Sequence, residues 1–256
     1  MSEIIQPRGS DDTTFAQPLS TPIKRRSFFM YAGATAGAAA LVMAGCSKDS
    51  TTPTVTLPAG NSTTADGSIS LGSGDVGVLN YAYALEQLEA DFYSQVVLKS
   101  QSVLSATEYA YFQQVAKHEA IHRDFLKAAL TRDAGTQVLR PLTPKYPTGT
   151  FTDKTTLLKT AKAFEDLGVA AYTGAGKLLR SPDYLLLAGK IVSVEARHAA
   201  YISTLNTPPS SIAFADDTQV DPISGLNVKM MPIQVLTQAQ AFITEKLDGS
   251  AVGVNA

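Results

Sequence analysis

Six side chains in two matched sets can do chemistry together. Glu86 is followed seven residues later by Tyr93, and then by Glu119-x-x-His122; Glu165 is followed seven residues later by Tyr172, and then by Glu195-x-x-His198. Four carboxylates and two imidazoles are potential metal ligands, in the pattern by which a four-helix bundle holds two metal ions between its helices. The chain has only three histidines, and with eight glutamates in the sequence a given histidine has a Glu three residues before it by chance about 3% of the time. On a helix, residues three or seven apart share a face, so each Glu points the same way as its His or Tyr.

The neighbours decide that this way is inward. Leu79, Ala82, Ala90, Tyr93 and Val97 share the stripe of Glu86, and Phe112, Val115, Ala116, Leu126 and Ala129 that of Glu119 and His122. Leu158, Ala161, Gly168, Val169 and Leu179 flank Glu165; Ala188, Ile191, Val192, Ala199 and Ile202 flank Glu195 and His198. Carboxylates on core-facing stripes are expensive without compensation, and cations are the simplest compensation. The alternatives are glutamates at stripe edges with hydrogen-bonded histidines, or a bundle that has lost its metal.

Punctuation places these residues on four helices. The first is expected over about Asp75 to Leu98; the second from Ser105, where Ser-Ala-Thr-Glu108 is a capping box, to about Thr131; the third from Thr152-Asp153 to about Arg180; the fourth from the Ser181-Pro182 start to about Leu205. Short connections make two antiparallel hairpins, and the twenty or so residues from Arg132 to Phe151, with Pro141, Pro144 and Pro147, read as a crossover along the bundle. The expectation is an all-α four-helix bundle over 75–206. A loop-rich extension, 207–256, follows, with one helix from about Pro232 to Glu245 whose Val235, Leu236 and Phe242 must pack on the bundle.

The pattern resembles the ferritin-like superfamily of di-iron and di-manganese carboxylate proteins, which includes bacterioferritin, rubrerythrin and manganese catalase. It is most similar to an exported bacterial branch. Leu79-Asn80 through Leu85-Glu86-Gln87-Leu88-Glu89-Ala90-Asp91-Phe92-Tyr93 looks like that family's first helix. The resemblance implies two iron or two manganese ions, with Glu86 and Glu165 as terminal ligands, Glu119 and Glu195 bridging, and His122 and His198 one to each metal. It implies reaction with O₂ or peroxide, of ferroxidase or catalase and peroxidase type. With Cys46 the only cysteine and every methionine outside the bundle, the chain lacks a rubrerythrin's second iron site and a bacterioferritin's haem ligand. Tyr93 and Tyr172 are the candidate catalytic tyrosines, as hydrogen-bond donors to ligand carboxylates or as electron sources; they can equally just pack. Glu89, one turn after Glu86 on nearly the same face, could replace it as ligand, but only Glu86 has the seven-residue spacing to a tyrosine that Glu165 has. His118, turned about 100° from Glu119, fits a surface or supporting role.

Ahead of the bundle, Lys24-Arg25-Arg26-Ser27-Phe28-Phe29 resembles a twin-arginine export signal. The apolar stretch Tyr31 to Ala44 is too short for a stable membrane span, and Val42-Met43-Ala44-Gly45-Cys46 is similar to a lipoprotein processing site. Residues 1–45 are therefore expected to be a cleaved signal and Cys46 a lipidated anchor to the periplasm or cell envelope. Residues 46–74, rich in Ser, Thr, Gly and Pro, read as a flexible tether. A net charge of −2, about −3 after cleavage, provides no polycationic patch for nucleic acid. The competing expectation is a non-catalytic metal-binding or structural envelope stress protein; an oligomer is possible, though a storage cage fits a tethered chain poorly.

Overall fold

The computed structural model describes residues 62–206 and 212–254. The expected signal with Arg25 and Arg26, the expected lipidation site Cys46 and most of the expected tether lie outside the described residues. Four long helices form the body: α1 (Gly74–Lys99), α2 (Ala106–Ala134), α3 (Lys154–Ala175) and α4 (Pro182–Asn206). A short α5 (Pro232–Ala239) follows, and two-residue strands β1 (Ile69–Ser70) and β2 (Leu247–Asp248) pair in parallel. The chain is an all-α bundle in which α1 packs chiefly on α2 and α3 on α4.

The helix starts follow their local chemistry. At α2 the Ser105 hydroxyl accepts from the Glu108 amide at 3.3 Å while the Glu108 carboxylate accepts from the Ser105 amide at 2.8 Å, satisfying two donors that have no intrahelical partner. Asp153 caps α3 through the Thr156 amide at 2.7 Å, and Ser181 accepts from the Tyr184 amide at the start of α4. α3 stops earlier than expected: past Ala175 the chain tightens into a 3₁₀ turn, Gly176–Leu178, and becomes extended at Leu179.

Tyr172 of α3 reaches Glu86 of α1, and Tyr93 of α1 reaches Glu165 of α3, so these two helices run antiparallel. Because α1 and α2 form an antiparallel hairpin, α3 must run parallel to α2. A parallel connection has to return the length of the bundle, which is the work of 135–153. This crossover is anchored: the Asn80 side chain donates to Gln137 O and Leu71 O and accepts from the Leu139 amide, and Tyr146 packs against Phe92.

Two further features differ from the sequence expectation. The end of the supposed tether is not free, since Ile69 and Leu71 are buried and β1 pairs with β2. The C-terminal helix ends at Ala239 rather than near Glu245; beyond a 3₁₀ turn, Ile243 bridges to Pro144 of the crossover while Phe242 sits edge-to-face on Phe164. The crossover lies along α1 and the tail meets its first turn at Gly74 and Gly77; α1 is buried on nearly every side, whereas α2 and α4 each bury a single stripe.

Candidate metal centre

All six candidate ligands converge in the middle of the bundle. Glu86, Glu119, Glu165 and Glu195 are 0% exposed, and His122 and His198 are buried. Two overlapping groups have one ligand atom per residue within 4.8 Å of one another and could each hold a metal ion: Glu86, Glu119, His122 and Glu195; and Glu119, Glu165, Glu195 and His198. Glu119 and Glu195 are common to both, and each group has one imidazole.

The imidazoles present Nδ1 to the carboxylates. His122 Nδ1 lies 2.8 Å from Glu195 Oε1 and 3.2 Å from Glu119 Oε2, and His198 Nδ1 lies 2.9 Å from Glu119 Oε1. Close approach is not satisfaction. Glu86 Oε2, Glu119 Oε1, Glu165 Oε2, both Glu195 oxygens and His198 Nδ1 have no aligned hydrogen bond although they are buried. Buried polar atoms are nearly always paired, and so many orphans pointing at one spot are what a cation would satisfy. The donor set, carboxylate oxygen with imidazole nitrogen, suits iron or manganese. The residues fit a two-metal centre.

Without metal the cluster shares protons instead. Burial is the largest influence on Glu86, Glu165, Glu195, His122 and His198. It raises Glu165 to about 8 and, reinforced by Glu195 and Glu119, raises Glu86 well above the usual carboxylate range. Burial alone would lower the two histidines, but the surrounding carboxylates outweigh it, pushing His122 to about 11 and His198 to about 12. Those imidazolium ions in turn hold Glu195 down at about 2 against its burial.

The tyrosines cross over. Tyr93 donates to Glu165 Oε1 and Tyr172 to Glu86 Oε1, each at 2.5 Å, so each tyrosine serves the other half's glutamate rather than the one on its own helix. Each fixes one oxygen of that carboxylate and leaves the second, unpartnered one toward the cluster.

The halves are not identical. His118 is exposed, as its position around α2 implies, but its Nδ1 lies 2.9 Å from His198 Nε2 with the rings stacked at 7°. Burial and the neighbouring His198 hold His118 below its ordinary value, so it accepts from His198 Nε2–H and leaves Nδ1 facing the cluster. Val194 occupies the equivalent place in the second half. Glu89 is a fifth buried carboxylate with an unpartnered Oε2, and burial raises it well above the carboxylate range. Its equivalent in the second half is Gly168, where an added Cβ would lie 3.0 Å from Glu89 Oε1. The face that Glu89 shares with Glu86 marked it in the sequence, and the glycine three residues after Glu165 is what leaves it room.

Comparison with curated proteins returned no match. A family model, the ferritin-like domain, matches residues 74–208. Those residues include all four long helices, the crossover and every member of the cluster, and the chain belongs to the ferritin-like domain family.

Proposed function

We propose that the protein holds two iron or two manganese ions and reacts with dioxygen or peroxide. Glu86 and His122 would hold one ion and Glu165 and His198 the other, with Glu119 and Glu195 available to both. The observation that supports this most is the set of buried, unpartnered carboxylate oxygens facing one another across two ligand groups that share two glutamates. Such a pair of divalent ions, when bound, would supply the two electrons, one from each ion, that reduction of dioxygen to peroxide requires. The chain's own contribution is to fix the carboxylates through Tyr93 and Tyr172, to present His198 Nδ1 through His118, and to exclude bulk water.

The test is a crossover in stability. Protein reconstituted with Fe²⁺ without air, or with Mn²⁺, is expected to carry close to two ions per chain and to melt higher than the stripped protein, because metal binds only the folded state. Glu119→Ala is expected to match or exceed the wild type's melting temperature without metal, since it removes one carboxylate from a crowded apolar site, and to fall below it with metal. Wild type that takes up no metal, with a melting temperature indifferent to both ions, overturns the proposal in favour of a structural role.

The export reading is part of the same proposal: a twin-arginine signal, then lipid attachment at Cys46, placing the bundle on the envelope side of a membrane. Replacing Arg25 and Arg26 with Lys is expected to stop processing, because the pair is read as an address and not as charge. Unchanged processing removes this part of the proposal and leaves the metal centre standing.

A further inference from the structure

The two halves of the bundle differ at one more place, on the end of the core nearest Glu86. A cavity of about 30 Å³ lies there between all four long helices, walled almost wholly by apolar side chains such as Leu79, Leu85, Leu126 and Ile191. Its wall reaches the ligands by single helical steps. Ala82 is four residues before Glu86, Leu126 four after His122 and Ile191 four before Glu195, so about 6 Å along each helix separates cavity from cluster. Tyr172, whose hydroxyl donates to Glu86, forms part of the wall.

The doubled sequence pattern explains why the cavity is on this side. Phe112, seven residues before Glu119, is fully buried and stacks on Tyr93 with ring centroids 5.9 Å apart. The residue seven before Glu195 is Ala188, which lines the cavity beside Tyr172. One half fills this position with a ring and the other leaves it to a methyl group.

We infer that this cavity is a binding site for dioxygen, delivering it to the Glu86–His122 side of the cluster. The inference rests on the two-metal reading above and narrows its substrate from dioxygen or peroxide to dioxygen. The cavity is too small for an organic substrate. Water needs about two to four polar partners in such a place; the only unpartnered hydroxyl on a residue of this wall is that of Tyr81, which is 1% exposed. Hydrogen peroxide carries two O–H donors that an apolar wall leaves unmet, which makes its transfer from water unfavourable. Dioxygen has no donor to strand and prefers apolar surroundings.

Dioxygen is itself paramagnetic, and its residence can be read in metal-free protein under oxygen pressure. Methyl groups of Leu79, Leu85 and Leu126 should relax faster than those of the comparably buried Leu158 and Leu167, and Ala188→Phe should abolish the difference. Equal enhancement at both sets of methyls, or enhancement that survives Ala188→Phe, overturns the inference. Ala188→Leu serves the same purpose if the phenylalanine variant does not fold. With Fe²⁺-loaded protein, the filled variant should react with dioxygen about tenfold more slowly, a barrier increase of about 1.4 kcal/mol, while its reaction with hydrogen peroxide and its metal stoichiometry stay at wild-type values. Equal slowing with both oxidants overturns the inference. Because the relaxation measurement needs no metal, a wild type that binds none defeats the two-metal reading separately and leaves the cavity to be judged by its own methyls.

Discussion

At the scale of residues, the centre is a competition between protons and metal, and pH sets its terms. In the metal-free protein Glu165 is raised from 4.5 to about 8, so its neutral form favours folding; that contribution is whole below 4.5 and is lost as pH rises through 8. His122 and His198 are raised from 6.5, so the stability from their cations is whole below 6.5 and declines as pH climbs toward about 11 and 12. Glu195, lowered to about 2, acts in the opposite direction but only as pH falls from 4.5 toward 2. Metal-free protein should therefore melt lower at pH 8 than at pH 5, while metal affinity rises over the same interval because fewer protons must leave. Thermal melts at the two pH values, with chelator and with Mn²⁺, check both signs; a metal-free melting temperature that rises from pH 5 to pH 8 contradicts the account. His118→Ala should keep two ions per chain but weaken one of them by about 10- to 100-fold, the usual effect of removing the group that orients a ligating histidine. Calorimetric titration resolving two binding events checks this, and equal weakening of both ions would contradict it. The convergence of all six residues was legible in the sequence because helical spacing fixes which residues share a face. The partners of Tyr93, Tyr172 and His118 were not, because spacing along one helix says nothing of which glutamate or histidine a neighbouring helix brings opposite.

At the scale of elements, the strong local signals survived into the structure and the weak ones did not. Ser105 with Glu108, Asp153 and Ser181 cap helices where their side-chain chemistry says they should, since capping is decided within four residues. The burial of α1 on almost all sides was not legible from its own stripe, because it depends on the neighbouring helices and on the crossover lying along it. Tail and α3 meet so closely that a Cβ on Gly174 would fall 1.9 Å from Met230 O, while the Met230 amide donates to Ala170 O at 3.0 Å. Gly174→Ala should therefore push the tail off the helix and destabilise the fold by about 1–3 kcal/mol. Gly189, in the interior of α4 with nothing within 4 Å of its added Cβ, is the contrasting site: Gly189→Ala should stabilise by about 0.4–1 kcal/mol. Denaturant melts of the two variants should move in opposite directions.

At the scale of the whole molecule, the bundle is closed by segments far apart in sequence. Ile69 is opposite Leu247 in the parallel pair, and Thr143 and Lys145 of the crossover exchange backbone hydrogen bonds with Thr244 and Phe242. Deleting the residues beyond Ala239 should uncover Ile69, Leu71 and Phe164 together, lowering the melting temperature and speeding amide exchange at the start of α1 more than in α2. Uniform exchange across α1 and α2 in the truncated protein would show that the tail does not serve as a strap. The parallel pair also imposes a schedule on synthesis. Both helical hairpins can form as soon as each has left the ribosome, but β1 must wait for residues some 178 positions later in the sequence before its partner exists. Until translation reaches Leu247, every nascent chain carries Ile69 and Leu71 without their cover, and that uncovered patch distinguishes an unfinished copy from a complete one.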